Sequence, residues 1–220
     1  MFLSYKDPCL EEGISEWNST VKKSKEPLFV TFQEYCSNIQ NFFINNDHGS
    51  IIEPISHLAQ LLKNENIPYI AILNHYEIPS ILFHYLSDDT FSFQQTYSIN
   101  CLINISAIDN SEPIFDSEMN CCIIINLLKR TTDKEKLNKI LLLLNNLIKF
   151  CNTRINSYFL QNHIIEIFLV ISNKGTNSDI IVNLLDSILV LSTEQLSPEC
   201  VLNIYRLFSY IQNRSNKHLT

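Results

Sequence analysis

The chain has 220 residues, of which 45% are hydrophobic, three are glycine and seven are proline. So few turn-forming residues disfavour an all-β sandwich or barrel, whose short strands need frequent turn signals. The formal net charge of −7 argues against nucleic acid or an anionic membrane as the main partner and favours a basic one.

The hydropathy pattern predicts no membrane-spanning segment, and the cysteines suggest a reducing compartment. No apolar run reaches the roughly 18 residues that a membrane-spanning helix needs, and the sequence predicts no signal peptide. Seven cysteines occur, an odd number without a CxxC pair, and most lie in apolar helical runs. We therefore expect most of them to be reduced, buried core residues without disulfides or metal. The expected location is the cytoplasm and nucleus.

The first elements follow from composition and spacing. Residues 1–26 are polar and of mixed charge, which predicts a flexible tail. From Pro27 to about Ile44, apolar residues recur every three to four positions, which predicts an amphipathic helix. Residues 45–50 contain aspartate and glycine and are expected to form a loop.

From residue 51 onward the chain repeats a short apolar helix, a polar turn and a longer helix. The short helices begin at Ile78, Asn120 and Ile164, which are 42 and 44 residues apart. A further short helix is predicted at 112–115 and again at 154–160. The segment 201–211 begins another repeat, which the chain does not finish.

The longer helices keep the same period. Leu102, Leu144 and Ile188 occupy equivalent positions, again with offsets of 42 and 44 residues. A period of about 40 to 47 residues is typical of armadillo and HEAT arrays. The predicted fold is all-α, a right-handed α-solenoid of about four armadillo-type repeats over residues 27–220. The alternative is an ordinary helical bundle with chance periodicity.

Three stretches resemble a known family. They are LLKNENIPYIAIL at 61–73, IPSILFHYL at 78–86 and DDTFSFQQTYSINCLINIS at 88–106. Together they resemble the first armadillo repeat of the importin-α family, the adaptors that carry nuclear-localisation signals. A weaker similarity continues to about Thr193, so that it covers about 130 residues.

The resemblance implies a concave groove in which asparagine amides hold an extended peptide. In the family, tryptophans also form slots for lysine and arginine side chains. The family's asparagine is retained at Asn104 and Asn146 and is replaced by Val190 in the third repeat. All three tryptophan positions are replaced, by Asn100, Leu142 and Asp186.

Five residues are the candidate peptide-binding set: Asn100, Asn104, Asn145, Asn146 and Asp186. The alternative for Asn104 and Asn146 is that they cap or bridge helices inside the array. The family's basic N-terminal segment, which binds importin-β, corresponds here to three lysines at 22–25 among acidic residues, so a solvated tail is favoured.

No catalytic pattern is found in the sequence. It has no HExxH, no glycine-rich phosphate loop and no GxSxG, and its histidines lack metal-ligand spacing. Asp88 and Asp89 are expected to form a turn and helix cap, and His84 to be a half-buried structural residue. Neither a reaction nor a cofactor is expected.

Two functions remain open. The first is an importin-α-like adaptor that holds an extended, basic, nuclear-localisation-type peptide for nuclear import. The second is a non-catalytic scaffold subunit that docks on another protein. Exposed apolar surface at Val201, Ile204, Leu207 and Phe208 would favour the second function.

Overall fold

The computed structural model describes residues 26–62, 69–108, 111–150, 153–173, 186–188, 190–191 and 196–217. Within these ranges the regular elements are α-helices and one 3₁₀ turn, with no strand, which confirms the all-α prediction. The predicted tail lies outside the described residues except for Glu26, which begins the first helix. The turn expected at 175–178 also lies outside them.

The helices follow the predicted order closely. Their bounds are α1 Glu26–Ile44, α2 Ile52–Leu61, α3 Tyr69–His75, α4 Ile78–Ser87, α5 Ser92–Ser106, α6 Glu112–Phe115, α7 Glu118–Arg130, α8 Lys134–Phe150, α9 Thr153–Gln161, α10 Ile164–Asn173 and α11 Pro198–Lys217. The 3₁₀ turn spans Asp89–Phe91, and residues 186–188 and 190–191 are also helical. None of the described helices combines the length and apolar character that crossing a bilayer requires.

The chain divides into two compact units, Met1–Asn104 and Ile105–Thr220. In the first unit, α1 packs against α2, α3 and α4. The apolar residues Phe29, Phe32, Cys36 and Ile39 recur at helical spacing along α1, and all four are buried. The periodicity seen in the sequence therefore identifies the core face of this helix.

In the second unit, α7 packs against α8 and α9, and α10 packs against α9 and α11. Leu144 and Ile188, which the repeat pattern places at equivalent positions, are both buried. Burial of long apolar faces against neighbouring helices supplies most of the stability of such helices, because short isolated helices are marginal in water.

Aspartates at two of the predicted turns bind backbone N–H groups. Asp88 Oδ1 accepts a 2.9 Å hydrogen bond from the Thr90 backbone N–H. Asp133 Oδ1 accepts a 2.7 Å bond from the Lys136 backbone N–H at the start of α8. Both bonds satisfy N–H groups that a helix start leaves without intrahelical partners, so the turn-and-cap interpretation of Asp88 is confirmed.

One expectation about burial, that for His84, was wrong. Of the four residues whose exposure would favour a scaffold subunit, Val201 and Phe208 on α11 are exposed, whereas Leu207 is fully buried and Ile204 is half-buried. Leu207 is buried because α11 packs on α10 through that side. His84 is exposed instead of half-buried, since the buried side of α4 faces away from it. Its ring lies against Phe43, at a centroid distance of 5.0 Å.

The described cysteines are free thiols that differ in exposure, with Cys200 half-buried. Cys36, Cys101 and Cys121 are buried, as expected for small core residues. Burial raises the pKa of Cys36 and Cys101 well above the ordinary thiol value, so both stay protonated at neutral pH. Cys122, next to the buried Cys121, is exposed.

Candidate functional site

Two of the five candidate residues lie on α5 in the first unit. The Asn104 amide donates a 2.6 Å hydrogen bond to the backbone carbonyl of Ala59 on α2, 45 residues earlier. Asn100 lies about one turn before it and is also half-buried. Asn104 is thus in contact with another helix of its own unit.

The other three candidates lie in the second unit. Asn146 donates from Nδ2 to the Ser106 hydroxyl at 3.1 Å, 40 residues earlier. The neighbouring Asn145 is 4% exposed, and its Oδ1 accepts a 3.3 Å bond from the Ser187 hydroxyl, 42 residues later. These two adjacent amides therefore connect α8 to helical residues on both its N-terminal and C-terminal sides along the chain.

Asp186 forms an ion pair with Lys149, with 3.1 Å between Oδ2 and Nζ. Both side chains are partly exposed, so the pair contributes little to stability in water. The ion pair joins α8 to the same helical segment that Asn145 contacts through Ser187.

The structure thus brings Asn145, Asn146 and Asp186 together around α8. Helix bridging, the alternative role considered for these two asparagines, is observed for both Asn104 and Asn146. Binding of a peptide by these amides stays a prediction.

A cleft in the first unit was not predicted from the sequence. It lies between α1, the start of α2 and one residue of α5, and its volume is about 750 Å³. The residues that line this α1–α2 cleft are Tyr35, Asn38, Phe42, Gly49, Ser50, Ile52, Glu53, Pro54, Ser56, His57 and Tyr97. Clefts of this size accommodate a small molecule or a few residues of a peptide.

The wall of the cleft is aromatic and polar. Tyr35 packs against His57 with 5.1 Å between ring centroids, and Phe42 and Tyr97 add two further rings. The spacing of Tyr35, Asn38 and Phe42 places them on one side of α1. No sequence motif marks this set, because its members come from separate helices.

The loop that contributes Gly49 and Ser50 to the cleft is held through His48, which is contacted by Tyr85 and Gln94. Tyr85 is fully buried, and its hydroxyl lies 2.9 Å from His48 Nδ1. The Gln94 amide donates a 2.7 Å bond to the His48 backbone carbonyl. Burial raises the pKa of Tyr85 to about 12, so this hydroxyl remains protonated at neutral pH and holds the loop in place.

The charge of the chain is concentrated in the first unit. Residues 26–104 contain eight acidic residues and one lysine, a net charge of −7 that equals the charge of the whole chain. The lysine, Lys63, lies outside the described residues, so the described part of this unit contains neither lysine nor arginine. Six of its acidic residues are exposed: Glu34, Asp47, Glu53, Glu77, Asp88 and Asp89. This signal was readable in the sequence, but only by summing charge over segments instead of over the chain.

A smaller cavity of about 180 Å³ lies in the second unit between α9 and the start of α7. Arg154 and Asp116 pair at its edge with 3.5 Å between charged atoms. Burial, with the nearby Cys122 and Cys121 thiols, raises the pKa of Tyr158 in its wall. Among the described residues, no group of three or more histidine, cysteine or acidic side chains is arranged to hold a metal ion.

Comparison with known proteins adds no further constraint. No family model matches the chain, and neither the curated proteins nor the solved structures provide a match.

Proposed function

We propose that this chain is a non-catalytic adaptor of armadillo-type helical repeats that binds an extended, basic polypeptide through its first unit. A nuclear-localisation-type peptide is the partner that the resemblance to the importin-α family suggests, with nuclear import as the process it would serve. The observation that carries the proposal is the charge distribution: residues 26–104 hold a net charge of −7.

Three side-chain hydrogen bonds that each join residues about one repeat length apart support the repeat architecture. The bonds of Asn104, Asn146 and Asn145 join residues 45, 40 and 42 positions apart. Contacts between residues about 40 to 47 positions apart are expected when each repeat packs on the next. Stacked repeats present extended surfaces, which are suited to extended peptides.

Electrostatic attraction would favour a cationic partner. The exposed carboxylates of the first unit attract a basic chain from a distance and raise its association rate. The described part of the unit contains no lysine or arginine, so a cation that approaches these residues meets no lysine or arginine among them. This attraction falls as salt screens it, over about 8 Å at physiological ionic strength.

The proposal is tested with a fluorescent, lysine- and arginine-rich extended peptide and with a control in which norleucine and citrulline replace those residues. We expect saturable binding of the basic peptide, weakened as salt is raised, and no binding of the control. Neutralising Glu34 and Glu77 to glutamine should slow association, whereas the matched change at Glu118 and Glu199 in the second unit should not. Failure of every basic peptide to bind at low salt would reject the proposal.

The role of the amides is decided with the same peptide. In the double variant Asn104→Ala with Asn146→Ala, loss of binding by a folded protein would assign them a peptide contact. Unchanged affinity would leave them with the helix-bridging contacts alone.

A second candidate function rests on α11. Its exposed apolar side chains, Val201, Leu202, Tyr205 and Phe208, follow helical spacing and form a stripe. The opposite side of the helix is in contact with α10: Leu207 is buried, and Asn203 donates a 3.1 Å bond to Glu166 Oε1. Such a stripe favours a scaffold subunit that docks on another protein. A stable complex isolated with the wild type and lost with Tyr205→Ser plus Phe208→Ser would support it.

A further inference from the structure

We propose that the α1–α2 cleft is the subsite that takes a lysine or arginine side chain of the basic partner. This inference rests on the proposed function and gives it a location. Neither Asn104 nor Asn146 is among the residues that line the cleft, and the amides of both bond to other helices of their own units.

The charge of the lining selects a cation. Among the described residues that line the cleft, Glu53 is the only acidic one and none is a lysine or arginine. Glu53 is exposed, so its carboxylate is open to an incoming ammonium or guanidinium group. Charge-assisted hydrogen bonds of this kind are shorter and stronger than neutral ones.

The aromatic lining suits the rest of such a side chain. Tyr35, Phe42 and Tyr97 contribute three rings to the cleft. A cation is attracted to the face of an aromatic ring within about 6 Å of its centre. The long methylene stem of lysine or arginine also buries well against apolar surface while its charged end stays near polar groups.

Polar groups in the lining complete the match. Asn38, Ser50 and Ser56 add an amide and two hydroxyls beside Glu53. Their oxygen atoms can accept hydrogen bonds from a guanidinium, which has five N–H donors. A purely apolar occupant would cover these groups without replacing their bonds to water, which disfavours it.

The competing occupant is an anion, because the N-terminus of α2 also lies at the cleft and helix N-termini attract negative charge. Glu53 occupies the first turn of that helix and already supplies a carboxylate there. The net charge of −7 in residues 26–104 further opposes an anionic ligand. A cation is therefore the better complement to this cleft.

The test compares variants that change residues lining the cleft with a variant that removes a negative charge of the same unit outside the cleft. Glu53→Gln removes the cleft carboxylate, and Glu34→Gln removes one exposed charge from the same unit outside the lining. We expect Glu53→Gln to weaken binding of the basic peptide about fivefold more than Glu34→Gln. Tyr97→Leu should weaken binding to a similar degree, whereas Tyr97→Phe, which keeps the ring, should not.

The outcomes separate this inference from the function on which it rests. Equal weakening by Glu53→Gln and Glu34→Gln, with Tyr97→Leu folded and binding normally, would reject the cleft and leave the acidic adaptor standing. If no basic peptide binds, the function fails, and the cleft is then tested with N-acetyl-arginine methylamide. If N-acetyl-arginine methylamide shifts the NMR signals of the Tyr35 and Tyr97 rings in the wild type but not in Glu53→Gln, the cleft remains supported as a cation subsite. If these signals do not shift in the wild type, or if N-acetyl-glutamate methylamide shifts them equally, the proposed cation subsite is wrong.

Discussion

The Asn104 side-chain amide lies 2.6 Å from the Ala59 carbonyl oxygen, and these two residues are 45 positions apart in the chain. Ala59 itself is buried, so its carbonyl has little access to water. Removal of the amide leaves an acceptor that is costly to bury unpaired. The contact is therefore a structural bond between α2 and α5 of the first unit.

This bond predicts a stability effect that a neighbouring asparagine should not share. We expect Asn104→Ala to lower the free energy of unfolding by about 1–3 kcal/mol. The matched change Asn100→Ala, one turn earlier, should lower it by no more than about 0.5 kcal/mol. Urea denaturation followed by circular dichroism measures both. Equal losses in the two variants would contradict a structural role specific to Asn104.

In the second unit, a buried neutral bond and an exposed ion pair join the same helices. We expect Asn145→Ala to cost about 1–3 kcal/mol, since it removes the buried hydrogen bond between Asn145 and Ser187. Loss of the partly exposed Lys149–Asp186 pair in Asp186→Asn should cost under about 1 kcal/mol. Thermal denaturation measures the loss of stability in both variants. A larger loss in Asp186→Asn than in Asn145→Ala would contradict the prediction.

Helix α11 gives a third comparison, between its buried and exposed sides. Leu207→Ala should lower the free energy of unfolding by about 2–5 kcal/mol, because Leu207 is fully buried. Phe208→Ser, on the exposed stripe, should change it by no more than about 0.5 kcal/mol. A large loss from Phe208→Ser in urea denaturation would mean that another part of the chain covers this stripe.

Alkaline pH should destabilise the fold through groups that burial keeps neutral. The pKa of Tyr85 is raised from its ordinary value of 10.0 to about 12. Its contribution is therefore complete below pH 10, where both states are protonated, and is lost as the pH rises toward 12 because the unfolded chain ionises first. The same sign holds for Cys36 and Cys101 from about pH 9 upward.

The contribution of Tyr85 is isolated with a variant. Urea midpoints measured between pH 8 and 11.5 should fall for the wild type, and above pH 10 they should fall less steeply for Tyr85→Phe. The variant loses the His48 bond at every pH, so the comparison concerns the slope and not the absolute midpoint. Parallel curves for the two proteins would contradict burial of the hydroxyl.

The adjacent cysteines of α7 predict a sharp difference in thiol reactivity. Cys122 is exposed, whereas Cys121, Cys36 and Cys101 are buried. A thiol-alkylating reagent at pH 7.5 should therefore label Cys122 within minutes and the three buried thiols only after denaturant is added. Mass spectrometry of the digested protein assigns each site. Early labelling of Cys101 would show that α5 opens readily.

The sequence predicted local features well and contacts between distant residues poorly. Helix α6 spans the predicted residues 112–115, and Asp88 caps the 3₁₀ turn as expected. These features depend on neighbours within a few positions. The α1–α2 cleft was missed because it needs Tyr35, Glu53 and Tyr97 from separate helices, and no spacing rule connects them.

The burial of α11 shows the same limit. Apolar residues at 201, 202, 204, 205, 207 and 208 cover more than half of the helix circumference, so periodicity alone could not choose the buried side. The choice depends on two contacts with α10: the buried Leu207 and the bond from Asn203 to Glu166. A polar residue on the buried side is what the hydrophobic pattern could not anticipate.

The bonds on α8 also determine where the chain can change its length. One residue inserted in α8 before residue 145 would turn every later position by about 100°, which would move Asn145, Asn146 and Lys149 away from their partners together. An insertion in the turn at 131–133 would leave the spacing within the helix intact. Length variation should therefore be confined to the turns, and a deletion inside the helix would be rescued only by a compensating insertion before residue 145.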